Sequence, residues 1–97
     1  MIRHTVVFKL KHGKGSQAER DFIQAIRKLM EISTVKKFEC LRQISKKNPY
    51  EFGVSMEFSN MQDYQTYNTH PAHVLFVKSR WIPEVQDYME IDYEPLD

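Results

Sequence analysis

From Ile2 to Lys11 apolar and polar positions alternate, with Ile2, His4, Val6, Phe8 and Leu10 on one side and Arg3, Thr5, Val7, Lys9 and Lys11 on the other. A period of two in β-branched and aromatic residues predicts a strand. His12-Gly13-Lys14-Gly15 breaks it as a loop. The period then lengthens: Ala18, Phe22, Ile26, Leu29 and Met30, with Ile23 alongside, form an apolar stripe at helical spacing. Ser16 and Glu19 have capping-box spacing, each able to satisfy a free N–H at the helix start, and the helix should end near Ile32. Val35 to Ile44 reads as a second strand with poorer alternation, and Lys46-Lys47-Asn48-Pro49 as a turn. Tyr50 to Phe58 is a third strand, with Phe52, Val54, Met56 and Phe58 opposite Gly53, Ser55 and Glu57. Ser59 with Gln62 repeats the capping pattern and opens a short helix bearing Tyr64 and Tyr67. Pro71 suits the first turn of a new helix, which carries Ala72, His73, Phe76, Val77 and Trp81 until Pro83 interrupts it. Gln86 to Glu94 is the last strand, ended by Pro95.

The order β-α-β-β-α-β is that of an α+β, ferredoxin-like fold: an antiparallel four-stranded sheet with helices on one face. Phe8, Phe22, Ile26, Leu29, Val54, Met56 and Phe58 are the expected core between the layers. The opposite face, with Thr5, Val7, Ile91 and Tyr93, is half apolar and invites self-association.

Composition narrows the function classes. Ninety-seven residues make one domain, spanning 1–97. A chain this size buries only roughly 60–65% of its unfolded surface, so sharing an apolar face with a second copy is one way to add burial. A content of 41% hydrophobic and 28% charged residues, with 3 Gly and 4 Pro, argues against disorder. Lys+Arg of 14 against Asp+Glu of 13 leaves no basic excess for nucleic acid, and the short lysine groups fall at strand ends and turns. Cys40 is the only cysteine, expected as a small core residue, so no internal disulfide forms. No stretch approaches the length of a membrane span and no export leader is evident, so a cytoplasmic location is expected and a membrane partner is not.

Three stretches together resemble the stress-responsive A/B-barrel (Dabb) family within the dimeric α/β-barrel superfamily. They are Ile2 to Lys11, the block Tyr67-Asn68-Thr69-His70-Pro71-Ala72-His73-Val74, and the strand end Asp92-Tyr93. The resemblance implies a ferredoxin-like subunit whose sheet packs on a second copy to close a barrel. It does not imply one activity, since a shared fold hosts many functions. One plant cyclase of the family folds a linear polyketide into an aromatic acid without a cofactor. Its catalytic tyrosine and histidine fall on Tyr67 and His73, an N-terminal pocket histidine on His4, and a further pocket histidine on Phe52. Phenylalanine at that last position makes the implied pocket more apolar.

Residue chemistry is compatible with that reading. His4 shares a strand face with Val6, Phe8 and Leu10, so it points toward the helices. His73 heads a helical piece that brings Phe76 and Trp81 to one side, with Tyr67 upstream of the Pro71 break. A neutral histidine can take a proton from a carbon acid, and a tyrosine hydroxyl can donate to the oxyanion that develops. The candidate catalytic pair is therefore Tyr67 and His73. The candidate ligand contacts are His4, Phe8, Phe52, His70, Phe76 and Trp81, and the implied ligand is a small aromatic or polyketide-like molecule. The structural alternative has His70 capping the helix that starts at Pro71, His73 bonded to a backbone carbonyl, and Tyr67 in the core, in a stress-protective dimer without chemistry. No metal is expected, because Pro71 disturbs the turn between His70 and His73 and no Cys or carboxylate nearby completes a ligand set. Trp81, Phe76 and Tyr64 suggest haem or flavin contact as in other barrels of this kind. Aromatic stripes are usually core, though, and with no phosphate-cradling glycine loop no cofactor is expected.

Overall fold

The computed structural model describes residues 1–97. Strand β1 (Ile2–Leu10) is followed by helix α1 (Gln17–Arg27), which tightens into a 3₁₀ turn at Lys28–Glu31. Strands β2 (Lys36–Arg42) and β3 (Phe52–Phe58) form a hairpin. Helices α2 (Met61–Thr69) and α3 (Pro71–Phe76) come next, then a π-helical turn at Val77–Trp81, a last helical turn at Ile82–Glu84 and strand β4 (Val85–Tyr93). All strand pairs are antiparallel, in the order β2-β3-β1-β4, with the helices on one face: the ferredoxin-like arrangement. No helix is long and apolar enough to cross a membrane.

Several boundaries differ from the sequence expectation, each for a local reason. Strand β2 is shorter than Val35 to Ile44 and alternates poorly because its register shifts between Lys36 and Glu39, where Lys37 adopts φ 50°. This is bulge geometry, in which an extra residue displaces every later side chain by one. The cap of α2 is Asn60, not Ser59: its Oδ1 accepts from the Asp63 N–H at 2.8 Å. In α1, Ser16 Oγ accepts from the Glu19 N–H, while Glu19 Oε1 reaches one residue further back, to the Gly15 N–H. Of the predicted stripe on this helix, Ala18 and Met30 are exposed. Pro83 does not interrupt the third helical piece. The helical backbone passes through it to Glu84, using the wider π register just before the residue that has no N–H to offer.

The core contains all seven expected residues, together with Leu10, Ile32, Phe52, Tyr64, Tyr67 and Phe76. Phe8, Phe22 and Phe58 are wholly buried. Phe8 lies with ring centroids 5.8 Å from Phe22 and 5.6 Å from Phe52, while Phe22 meets Phe76 at 5.6 Å. Cys40 is half-buried at the core's edge, where burial pushes its thiol pKa up. Cover is uneven. The inward residues of the central strands β1 and β3 lie under helices, whereas β4 is exposed along nearly its whole length. On the helix-free face the cross-strand register aligns Arg3 with Tyr93, Thr5 with Ile91 and Val7 with Met89. Leu41, Met89, Ile91 and Tyr93 are exposed.

Replacing Phe22 or Phe58 by alanine should each cost roughly 3–5 kcal/mol, the range for emptying a fully buried phenylalanine site. Urea unfolding of the two variants measures it, and losses under about 1 kcal/mol would show that neither ring is structural.

Candidate functional site

Uneven cover leaves a cavity of about 520 Å³ between the sheet and the helices. Its floor is His4 and Val6 of β1 with Val54 and Met56 of β3. Its roof is Ile26 and Leu29, Tyr67 and Asn68, His73 and Phe76, then Val77, Trp81 and Ile82. The exposed residues Gln86, Asp87, Tyr88 and Glu90 of β4 form the rim. This volume and its mainly apolar lining with a few convergent polar groups are those of a small-molecule site.

His70 explains how His73 and Tyr67 come together. It sits at the junction of α2 and α3 in extended conformation, as the residue before a proline prefers, and its Nδ1 accepts from the Ala72 N–H at 3.0 Å. The chain thus bends between two helices and sets the His73 imidazole against the Tyr67 ring, centroids 4.4 Å apart and planes tilted by 45°. His73 Nδ1 lies 3.1 Å from the Asn68 carbonyl oxygen. A carbonyl only accepts, so Nδ1 carries the proton and Nε2 keeps a free lone pair. Burial holds the His73 pKa below the ordinary histidine value, against the smaller opposing pull of the Asn68 carbonyl. Burial likewise raises the Tyr67 pKa, with Glu90 adding to it, so its hydroxyl stays protonated. That hydroxyl makes no hydrogen bond within the protein and is not sealed from the cavity.

A second polar group surrounds His4. The register places Asp92 directly across from it on β4, and His4 Nδ1 donates to Asp92 Oδ1 at 2.6 Å. Tyr64 of α2 reaches down so that its hydroxyl lies 2.8 Å from Asp92 Oδ2, 3.2 Å from Glu90 Oε1 and 2.9 Å from His4 Nδ1. Burial first, then these carboxylates, drive the Tyr64 pKa upward, so this hydroxyl is a donor too. With Nδ1 committed to Asp92, His4 presents Nε2 as its free nitrogen. His4, Glu90 and Asp92 are the residues that could hold a metal ion, their ligand atoms lying within 4.8 Å of one another. Here His4 bonds Asp92, and the Tyr64 hydroxyl bridges the carboxylates of Asp92 and Glu90.

Five of the eight residues singled out from sequence line the cavity: His4, Tyr67, His73, Phe76 and Trp81. Phe8 lies behind the wall against Trp81, centroids 5.1 Å apart. Phe52 is core, its ring beneath the Arg42 guanidinium at 5.3 Å. His70 caps α3 and does not line the cavity. Sequence reasoning did not place Glu90 in the site, and met Tyr64 only as a haem or flavin contact and Asp92 only in the family-like strand end. The alternation of β4 puts both carboxylates on one face, but only the pairing with β1 brings that face to His4.

The family model for the stress responsive A/B barrel domain matches residues 2–95. A Dabb family protein with a ferredoxin-like fold from Mesorhizobium loti is 54% identical, with a TM-score of 0.96 over 99% of this chain and 97% of its own. A dimeric protein of unknown function from Bacteroides fragilis is 24% identical, with a TM-score of 0.74 over 97% of this chain and 95% of its own. A hydroxynitrile lyase from Passiflora edulis is 15% identical, with a TM-score of 0.83 over 95% of this chain and 90% of its own, a likeness of fold. No curated protein matches the chain.

Because its pKa is depressed by folding, His73 adds a pH-dependent penalty below the ordinary histidine range. As pH falls through about 6.5 the unfolded chain takes up a proton that folded His73 resists, so stability declines until the folded value is passed. His73→Gln should therefore lose less stability than wild type between about pH 7 and 5, read as the difference in unfolding midpoints.

Proposed function

This chain belongs to the stress-responsive A/B barrel domain family, and we propose that it is a homodimer whose cavity binds a small, largely apolar molecule and moves a proton on it without a cofactor. His73 is the general base. Its Nε2 takes a proton from a carbon next to a carbonyl, and the electron pair left behind shifts onto the carbonyl oxygen. The Tyr67 hydroxyl donates a hydrogen bond to that oxygen as it becomes anionic, in apolar surroundings where such a bond is worth most. The enolate carbon can then bond a second carbonyl carbon of the ligand, whose oxygen takes the proton back from His73 in an aldol-type ring closure. In the reverse, lyase-type sense His73 takes a β-hydroxyl proton and the Cα–Cβ bond breaks to give an aldehyde or ketone and the same enolate. His4, oriented by Asp92, offers a second nitrogen to the same ligand.

One observation carries the reading. A histidine nitrogen and a tyrosine hydroxyl, both without protein partners, converge on an apolar cavity large enough for a one- or two-ring molecule. A purely structural domain of this size would gain stability by filling such a space. For the dimer, support comes from Leu41, Met89, Ile91 and Tyr93, which lie uncovered on the helix-free face. The Bacteroides fragilis protein with this fold is described as dimeric.

Small aromatic ketones and phenols should raise the thermal midpoint. Tyr67→Phe should weaken their binding roughly three- to tenfold, the effect of one neutral hydrogen bond, without unfolding the protein. His73→Gln should slow proton exchange at the carbon next to the ketone by roughly 10²–10⁴-fold, followed as deuterium uptake by NMR. Ligands that stabilise wild type and both variants equally would move the binding elsewhere and favour a structural dimer. Sedimentation equilibrium should give twice the chain mass of 11.6 kDa, and an exposed-face change such as Ile91→Lys should shift the mass toward that of one chain.

A further inference from the structure

We propose that the cavity discriminates by charge, admitting uncharged carbonyl and phenol ligands and turning away their carboxylate counterparts, with Glu90 of β4 setting the selection. This rests on the binding function proposed above and adds the ligand class to it. No lysine or arginine lines the cavity, whereas Glu90 does, paired with Val6 on the face of β4 that looks toward the helices. Glu90 is held in place by the Tyr64 hydroxyl, and Asp92 lies behind it on the same hydrogen-bonded group. Glu90 and Asp92 both lie against the single His4 imidazole, two carboxyl groups to one nitrogen base. Arg80, on the roof's outer side, is already occupied by Glu84.

A ligand carboxylate entering here faces two costs. It must leave water for walls of Val54, Met56, Phe76 and Trp81 with no cation to receive it. It must also pass fixed negative charge at the rim, where the low-dielectric walls reduce screening. A ketone or phenol faces neither and needs only the Tyr67 hydroxyl and an imidazole nitrogen.

The test uses two probes of nearly the same shape, para-hydroxyacetophenone and para-hydroxybenzoate, titrated by heteronuclear NMR near neutral pH and low salt. The proteins are wild type, Tyr67→Phe and Glu90→Gln. In wild type the benzoate should bind at least roughly tenfold more weakly than the ketone, equivalent to about 1.4 kcal/mol. Glu90→Gln should narrow that gap to roughly threefold, and salt at about 0.5 M should narrow it in wild type. Equal affinities in wild type, with Tyr67→Phe weakening both probes, would overturn the charge selection and leave the binding site standing. A gap undiminished in Glu90→Gln would overturn the assignment to Glu90. Failure of both probes to bind, or no effect of Tyr67→Phe on the ketone, would overturn the binding reading and the selection with it.

Discussion

Everything in this structure depends on burying the inward faces of β1 and β3 beneath the helices. Phe8, Phe52, Val54, Met56 and Phe58 form one apolar surface, and Phe22, Ile26, Leu29, Tyr64, Tyr67 and Phe76 descend on it. At roughly 1.5–3 kcal/mol for each large side chain removed from water, this layer supplies the main favourable term in folding. Phe58 shows how tightly the layer constrains the site. It stacks against Tyr64 at 5.0 Å and meets Tyr67 at 5.2 Å, so the two tyrosines that face His4 and His73 are placed by a core ring.

The helices cover the central strands and stop short of β4, and this shortage of cover makes the site. Carried on to β4, the helical layer would have buried Tyr88, Glu90 and Asp92 and left no room for a ligand. Instead the Pro71 break turns α3 away from α2, and the π register at Val77–Trp81 carries Trp81 over the cavity. Trp81 is steadied there by Phe8 on one side and Tyr88 on the other, with centroids 5.1 and 5.5 Å away. Glu84 fastens the end of this helical stretch to the β1 side: its backbone carbonyl accepts from the Lys11 N–H at 2.9 Å and its carboxylate bonds His12 at 2.7 Å. The roof is thus anchored at both ends around an open middle.

The buried polar groups follow the same economy. An imidazole as deeply placed as His4 requires a partner, because an unsatisfied buried polar group costs roughly 1–3 kcal/mol. Asp92 supplies it from a strand that is itself exposed. The pairing joins a core histidine to a solvated carboxylate, so this edge of the site keeps contact with water. His73 differs in kind. Its partner is the Asn68 carbonyl of the preceding helix, a local bond that sets the tautomer and leaves Nε2 free.

What the sequence determined by itself were the features written in near neighbours. The two-residue period of β1 and β3, the helical stripe of α1, the cap at Ser16 and the start at Pro71 depend on side chains within a turn or a strand face of one another. The seven core residues and the inward direction of His4 follow from that periodicity. Tyr67 and His73 are singled out together by the family resemblance of the block they share, not by periodicity. Tertiary structure decided the rest. The bulge at Lys37 answers the pairing of β2 with β3, and Pro83 stays within a helix because the π turn before it adjusts the register. The partnership of His4 with Asp92, 88 residues away, exists only once β1 and β4 are aligned. Phe8 and Phe52 belong to the wall's interior and not to its surface, because packing depth, unlike face, has no period along the chain. Long-range register and depth are collective outcomes of filling one core, and no local pattern encodes them.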